Sequence, residues 1–296
     1  MKKIKGIIAL SRIFEVFDFT LALSLLGIIL SGGWIGTRMI AIIFANFLAM
    51  TYAFMINDVE DAPEDAENPK KKKRNPICNG SLTRGEGLLV SNITLLLSFL
   101  LYLLIAVKTG LTLVLVIGII TLLVSFLYSW RKVRLKAIPI VDVITHMFML
   151  SGFIYLTSYY SYSANMNTLP LIAFISIISI SAYGQLDNEV RDFETDKKTS
   201  IKTLATIIGK KPAQILQFLF MATAVILFIY IVLALKDPVG LVIKFLISFT
   251  LAFIVPFILY LKKDKRIEIK PWIQRSLVYA AILTLVWTFL TDRFIY

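Results

Sequence analysis

Asn57-Asp58-Val59-Glu60-Asp61-Ala62-Pro63-Glu64-Asp65 and Asn188-Glu189-Val190-Arg191-Asp192-Phe193-Glu194-Thr195-Asp196 share one pattern, Asn-acid-Val-x-Asp-x-x-x-Asp, offset by 131 residues. Each stretch follows an apolar block of roughly 20 residues, the length that crosses a hydrocarbon core of about 30 Å. A repeat of this kind predicts a bundle of two related halves, each presenting one acidic cluster at the end of an apolar helix. On a helix, Asn57, Asp61 and Asp65 recur at i, i+4 and i+8, and Asp192 and Asp196 at i, i+4. Each set is therefore expected along one helix face. Pro63 predicts a kink or a restart inside the first motif.

Working outward from the motifs, the chain of 296 residues is 58% hydrophobic, above the about 45–50% of an ordinary soluble fold. Its apolar residues gather into nine candidate spans, about 13–31, 36–57, 88–107, 110–129, 138–160, 168–187, 214–235, 239–261 and 272–290. The expected fold is an all-α membrane protein, a single membrane-embedded domain over 1–296. Nine transmembrane helices would form two pseudo-repeated halves. With the N-terminus in the cytoplasm, all of the 31 Lys and Arg except Arg38, Lys108, Lys236, Lys244 and Arg293 fall on the inner side. A missed or invented span would scramble that asymmetry. The C-terminus is then outside, and the cell membrane is the expected location. The net charge of +12 is thus a topological signature and not a nucleic-acid footprint. Lys2, Lys3 and Lys5 could begin a signal peptide, but Arg12, Glu15 and Asp18 interrupt the apolar run a cleaved signal needs. The single cysteine, Cys78, excludes an internal disulfide.

The two long connections, about 58–87 and 188–212, both fall on the inner side and hold most of the acids, which is where chemistry is expected. Carboxylates stacked at i, i+4 repel one another, and a cation removes that cost. Mg2+ takes one or two protein carboxylates and completes its shell with water and phosphate oxygens. Two such clusters facing each other could hold a diphosphate between metal ions, with Arg74, Lys132, Lys197, Lys198 and Lys202 meeting its remaining charge. One cluster alone reads equally well as solvated charge beside a basic flank; two matching clusters on apolar helices favour a site. Glu15 and Asp18 lie on nearly one face near the inner end of the first span, and acids inside a membrane are functional by default. Asp142 and His146 form an i, i+4 pair at the inner start of the fifth span, read as a helix hydrogen bond or as a contact to an acceptor. The lone histidine is not a metal site.

With these residues in view, the sequence resembles the UbiA superfamily of intramembrane prenyltransferases. The first motif of that family, Asn-Asp-x-x-Asp-x-x-x-Asp, is met at Asn57, Asp58, Asp61 and Asp65, and the second, Asp-x-x-x-Asp, at Asp192 and Asp196. Arg74-Asn75-Pro76-Ile77-Cys78-Asn79-Gly80 is similar to the Arg-x-x-Pro-Leu-x-x-Gly stretch of the family, Tyr128-Ser-Trp-Arg-Lys132 to its Tyr-x-x-x-Lys element, and Lys202-Thr203-Leu204 to the Thr-Leu after its second motif. Asn188-Glu189 stands where many members carry Lys-Asp, and Thr195 where many carry Gly. The resemblance implies Mg2+-dependent transfer of a prenyl group from a prenyl diphosphate to a lipophilic acceptor, with release of pyrophosphate. The acceptor could be an aromatic quinone precursor, a glyceryl phosphate ether lipid or a polyene. It implies metal binding by Asn57, Asp61, Asp65, Asp192 and Asp196, with Asp61 and Asp192 central to catalysis and Asp58, Glu189 and Tyr128 as further positions. Two other classes fit the composition. They are an ion-coupled carrier, whose site would lie near the midplane, and a phosphotransferase acting on a lipid-linked diphosphate.

Overall fold

A chain segment surrounded by lipid must satisfy its own backbone, and a helix does so without a partner. In the computed structural model, which describes residues 2–198, 202–261 and 269–291, the apolar blocks are helical, and no strand occurs among the described residues. Helix α1 spans Lys2–Ser11 and α2 Ile13–Leu30; α3 spans Thr37–Asp65, α4 Pro69–Arg74, α5 Arg84–Thr109 and α6 Thr112–Ser129. The expected fifth span divides into α7, Pro139–Met147, a five-residue π-helical segment, Phe148–Gly152, and α8, Phe153–Tyr160. Next come α9, Thr168–Lys198, α10, Leu204–Ile208, and α11, Lys210–Ala234. Helices α12, Pro238–Leu261, and α13, Ile269–Thr291, complete the order.

Seven stretches are long and apolar enough to cross a membrane by length and composition, and α12 and α13 contribute two further apolar helices. The basic cluster Lys262, Lys263, Lys265 and Arg266, together with Arg293, lies outside the described residues. Helix α9 packs on α7 and α11, α3 on α2, α5 and α6, and α13 returns to α2.

The N-terminal basic tail forms the helix α1, joined to α2 at Arg12, whose φ of 45° is left-handed. The motifs lie at helix ends, and these helices extend into the connections expected at about 58–87 and 188–212. Helix α3 runs 29 residues, through Pro63 to Asp65, and α9 runs 31 residues to Lys198. Proline removes one N–H and displaces one turn of ladder. Around it α3 is held by other donors: Arg131 Nε donates to Glu60 O at 3.1 Å and the Cys78 thiol to Ala62 O at 3.0 Å. The rest of 66–83 is fixed by α4, capped by Asn68, and by the capping box of Thr83 and Glu86 that opens α5.

Asn46 ties four helices together in the apolar interior. Its Nδ2 donates to Ser24 Oγ on α2 and to Ser158 Oγ and Ile154 O on α8, and its Oδ1 accepts from Tyr102 on α5 and Thr157 on α8, all within 3.1 Å. Polar side chains commonly join helices in this way where the hydrophobic effect cannot. Tyr102 reaches Asn46 because Gly118 on α6 leaves room: a Cβ there would lie 2.5 Å from the Tyr102 ring.

Candidate active site

The final two turns of α3 present their polar groups to two different partners. Asn57 and Asp61 face the segment between α6 and α7. Lys136 Nζ donates to Asn57 Oδ1 at 2.9 Å and to Asp61 Oδ1 at 2.5 Å, and Ser129 Oγ donates to Asn57 Oδ1 at 3.3 Å. Arg134 pairs with both Glu64 oxygens at 2.7 and 2.5 Å and lies 3.6 Å from Asp61. Asp58 faces the opposite way and is buried. It accepts from Arg12 Nη2 at 2.6 Å and Arg12 Nε at 3.2 Å, with Arg74 Nη2 at 3.4 Å. Asp65 is buried as well. Asn75 Nδ2 donates to its carboxylate at 3.0 Å and to Asp58 O at 2.7 Å, and Lys71 lies 3.8 Å away. The single face expected for Asn57, Asp61 and Asp65 is therefore split. At 3.6 residues per turn, eight residues overshoot two turns by about 80°, which swings Asp65 toward α4.

At the end of α9, Asp192 is exposed, with Arg191 Nε 3.6 Å away, and Asp196 is half-buried one turn further on. Glu189 is turned inward. Its Oε2 accepts from Ala205 N at 2.9 Å and so caps the first turn of α10. Of the expected basic residues, Lys197, Lys198 and Lys202 are exposed near this end. Lys132 lies over the Trp130 ring at 5.7 Å, away from Asp61, and Arg74 is at Asp58. Glu15 is exposed and lies 3.8 Å from Arg12, which links it to Asp58, while Asp18 accepts from the Phe19 amide at 2.9 Å.

Next to Asn57 a cavity of about 190 Å³ opens between α3, α6, α7, the π segment and α9. It is lined by Ala53, Phe54, Asn57, Tyr128, His146, Met149, Leu150 and Gln185. Gln185 is seven residues before Asp192 on α9, about two turns, so both motif-bearing helices contribute to one cavity wall. The π segment supplies Met149 and Leu150; such insertions widen a helix locally and are frequent at functional sites. Asp142 does not pair with His146 as the i, i+4 reading expected. It accepts from Tyr128 Oη at 2.7 Å and from Gln185 Nε2 at 2.6 Å, while His146 Nδ1 lies 3.4 Å from Ser181 Oγ. Burial, followed by the charges of Asp65 and Asp58, raises the pKa of the Cys78 thiol above its ordinary value.

The sequence profile described as the UbiA prenyltransferase family matches residues 20–279. The chain belongs to the UbiA prenyltransferase family. Over 97 residues it is 29% identical to a 1,4-dihydroxy-2-naphthoate octaprenyltransferase of Bacillus subtilis (strain 168), a match that covers 33% of this chain and 31% of that protein. The chain thus spans about a third of the length of that curated relative. Among solved structures, a UbiA homologue from Archaeoglobus fulgidus bound to GPP and Mg2+ superposes with a TM-score of 0.71 at 18% identity, covering 97% of this chain and 100% of the other. A digeranylgeranylglyceryl phosphate synthase gives 0.66 at 22% identity, covering 97% and 99%. The apo UbiA homologue of Aeropyrum pernix K1 gives 0.66 at 17%, covering 91% and 95%.

In this UbiA-family chain the pattern reading missed Lys136, Arg134, Arg12, Ser129 and Gln185. Lys136 and Arg134 entered that reading only in the count of inner-side basic residues. They reach Asp61 and Glu64 because Arg134 adopts a left-handed φ of 48° that turns the chain back toward α3. Arg12 likewise reaches Asp58 from a left-handed break.

The oxygen donors suit Mg2+. Asn57 and Asp61 offer an amide and a carboxylate oxygen, hard ligands of the type that ion takes. No group of three His, Cys, Asp or Glu side chains converges among the described residues. The Lys136 ammonium already occupies a cation position between Asn57 and Asp61.

Proposed function

We propose that this chain is a Mg2+-dependent prenyltransferase of the cell membrane. It would join the prenyl group of a prenyl diphosphate to a lipophilic acceptor and release pyrophosphate. The observation that carries the reading is the placement of Asn57 at the wall of a cavity shared with Gln185 of the second motif helix, with Asp61 beside it on the same Lys136 ammonium. Relatives that hold GPP or DMAPP with Mg2+ in the same fold support it.

In this reading Asn57 and Asp61 on α3, and Asp192 and Asp196 on α9, would hold the metal, while Asp65, turned toward α4 and bonded to Asn75, would fix the end of α3. Bound Mg2+ would draw negative charge from the leaving diphosphate. The chain's own bases do the rest of the electrostatic work. Lys136, Arg134 and Arg74 already lie at the α3 acids, and Lys197, Lys198 and Lys202 stand on the α9 side; together they offset the charge that develops as the prenyl C–O bond lengthens. Phe54, Met149 and Leu150 line the cavity with apolar surface and exclude water from the allylic carbon. The acceptor attacks that carbon, the bonding electrons of the C–O bond leave with pyrophosphate, and the proton the acceptor gives up passes to the pyrophosphate or to solvent. Glu189 is assigned the role of holding α10 against α9. The motif ends face the cytoplasm, as the basic residues direct.

Purified protein in nanodiscs with geranyl diphosphate, Mg2+ and a panel of aromatic, glyceryl phosphate and polyene acceptors should release pyrophosphate and yield a prenylated product by mass spectrometry. Neither pyrophosphate nor product with any acceptor would sink the reading.

A further inference from the structure

A second cavity, of about 270 Å³, opens at the joint of α1 and α2, with Lys5, Ile8, Arg12, Ile13, Phe14 and Glu15 in its lining. Both helices are held in place around it. On α1, Lys3 Nζ donates to Glu86 Oε1 at 2.5 Å, and Gly6 sits so close to the start of α5 that a Cβ there would lie 2.9 Å from Leu82 Cγ. Arg12 has a side chain only 10% exposed, and Asp58 accepts from its Nη2 at 2.6 Å and its Nε at 3.2 Å. Asp58, which also meets Arg74, thus takes up the Arg12 charge. What the lining has left over is Lys5 and Glu15, one cation and one anion, both exposed. The ion-pair contact of Glu15 is Arg12 Nη1 at 3.8 Å, longer than a hydrogen bond. Around these charges the surface is apolar: Phe14 is 86% exposed, and Ile4, Ile8 and Phe17 are exposed as well. A short helix that carries lysines beside exposed apolar residues suits the boundary between hydrocarbon and headgroups, the layer where phosphodiesters lie.

We propose that the α1–α2 joint is a phospholipid site, and that it takes a head bearing both a phosphodiester and a primary ammonium, as in phosphatidylethanolamine. The phosphodiester would pair with Lys5, and the ammonium would donate to Glu15, whose carboxylate offers only lone pairs. Ile8, Ile13 and Phe14 would meet the glycerol and the first acyl carbons. A head with a negative charge alone would satisfy Lys5 but bring that charge beside Glu15. A choline head has no N–H to give a carboxylate. The cavity is smaller than the roughly 300–1,000 Å³ of pockets that enclose a whole drug-sized ligand, so it suits a headgroup with its chains left in the surrounding bilayer. The site concerns lipid binding and does not rest on the prenyl-transfer reading.

The test titrates the purified chain in detergent with dioctanoyl phosphatidylethanolamine, phosphatidylcholine and phosphatidylglycerol, and reads the first bound lipid by native mass spectrometry at pH 7. Wild type should bind phosphatidylethanolamine about 2- to 5-fold more tightly than either of the others, the worth of one exposed ion pair. In Glu15→Gln the advantage over phosphatidylcholine should disappear, and phosphatidylglycerol should gain on both. In Lys5→Gln phosphatidylglycerol should lose most, because its phosphodiester is its one charged group. These ratios are the readout because a merely structural defect weakens all three lipids alike. Glycerophosphoethanolamine, the same head without acyl chains, should fail to displace the lipid at equal concentration. Equal binding of phosphatidylethanolamine and phosphatidylcholine by wild type overturns the proposal. So does a wild-type preference for phosphatidylglycerol, which would mark plain attraction of an anion to a basic surface. An unchanged ratio in Glu15→Gln, or full displacement by the chain-free head, overturns it as well. Should either variant not fold, the wild-type comparison decides alone.

Discussion

At the scale of single residues, the two motifs divide into groups that face the site and groups that hold it. Asp61 meets Lys136 beside the cavity, and Asp192 is exposed at the end of α9. If both serve one diphosphate, Asp61→Asn and Asp192→Asn should each lower turnover by about 10²–10³, the effect of losing a key electrostatic stabiliser. The double variant should be little slower than either single, since groups acting as a unit are not additive. Steady-state rates on well-folded protein test this, and near-normal turnover by Asp192→Asn would confine the metal to the first motif. Cys78 gives a second outcome at this scale. Its thiol is raised by burial and by Asp65 and Asp58, so the reactive thiolate is scarcer at a given pH than in a free cysteine. Iodoacetamide should modify it more slowly than a free thiol at pH 8, with the gap narrowing only as pH rises further. Mass spectrometry of timed samples reads this directly.

At the scale of elements, long apolar helices were legible from composition and period, and the ends of α3 and α9 from the paired acidic motifs. The bases facing those acids were not, for one physical reason. Arg12 and Arg134 are the non-glycine residues with positive φ among the described residues, a conformation uncommon for such side chains. Counting by helix period stops at such a break. The i, i+4 step from Tyr128 leads to Lys132, yet α6 ends at Ser129, and the reversed turn brings Lys136 to Asn57 instead. The splitting of the fifth span by a π segment was hidden for a similar reason, because its composition is apolar throughout. The joint between α1 and α2 carries a prediction of its own. Arg12 also lies over the Phe54 ring at 5.1 Å, and its Asp58 partner is 1% exposed. Arg12→Ala leaves that carboxylate with Arg74 alone and should destabilise by about 3 kcal/mol, toward the lower end for a broken buried pair. Arg12→Ala combined with Asp58→Asn should recover part of the loss. Thermal unfolding in one detergent measures both, and equal melting temperatures for wild type and Arg12→Ala would refute the coupling.

At the scale of the whole molecule, the bundle concentrates its charge at one end. In a Cys78→Ser background, Lys72→Cys on α4 and Asn165→Cys between α8 and α9 should be labelled by an impermeant maleimide from opposite faces of sealed vesicles. Labelling of both from one face would overturn the orientation read from the basic residues. Chelation supplies the last outcome: EDTA should abolish turnover, and full activity in its presence would remove Mg2+ from the reaction.

Lys136 places a cation of the chain's own between Asn57 and Asp61. Its tethered ammonium balances the Asp61 charge and donates to the Asn57 amide oxygen, so on the proposed function this corner of the fold would not depend on the metal for its charge balance. If Mg2+ binds as proposed, it would displace that ammonium, and part of its binding energy would go to the exchange. Magnesium should therefore raise the melting temperature of wild type only slightly, and that of Lys136→Met more, since ligand-linked stabilisation grows with affinity for the folded state. The displaced ammonium would then be free to meet a diphosphate, which would couple loading of the ion to recruitment of the anion.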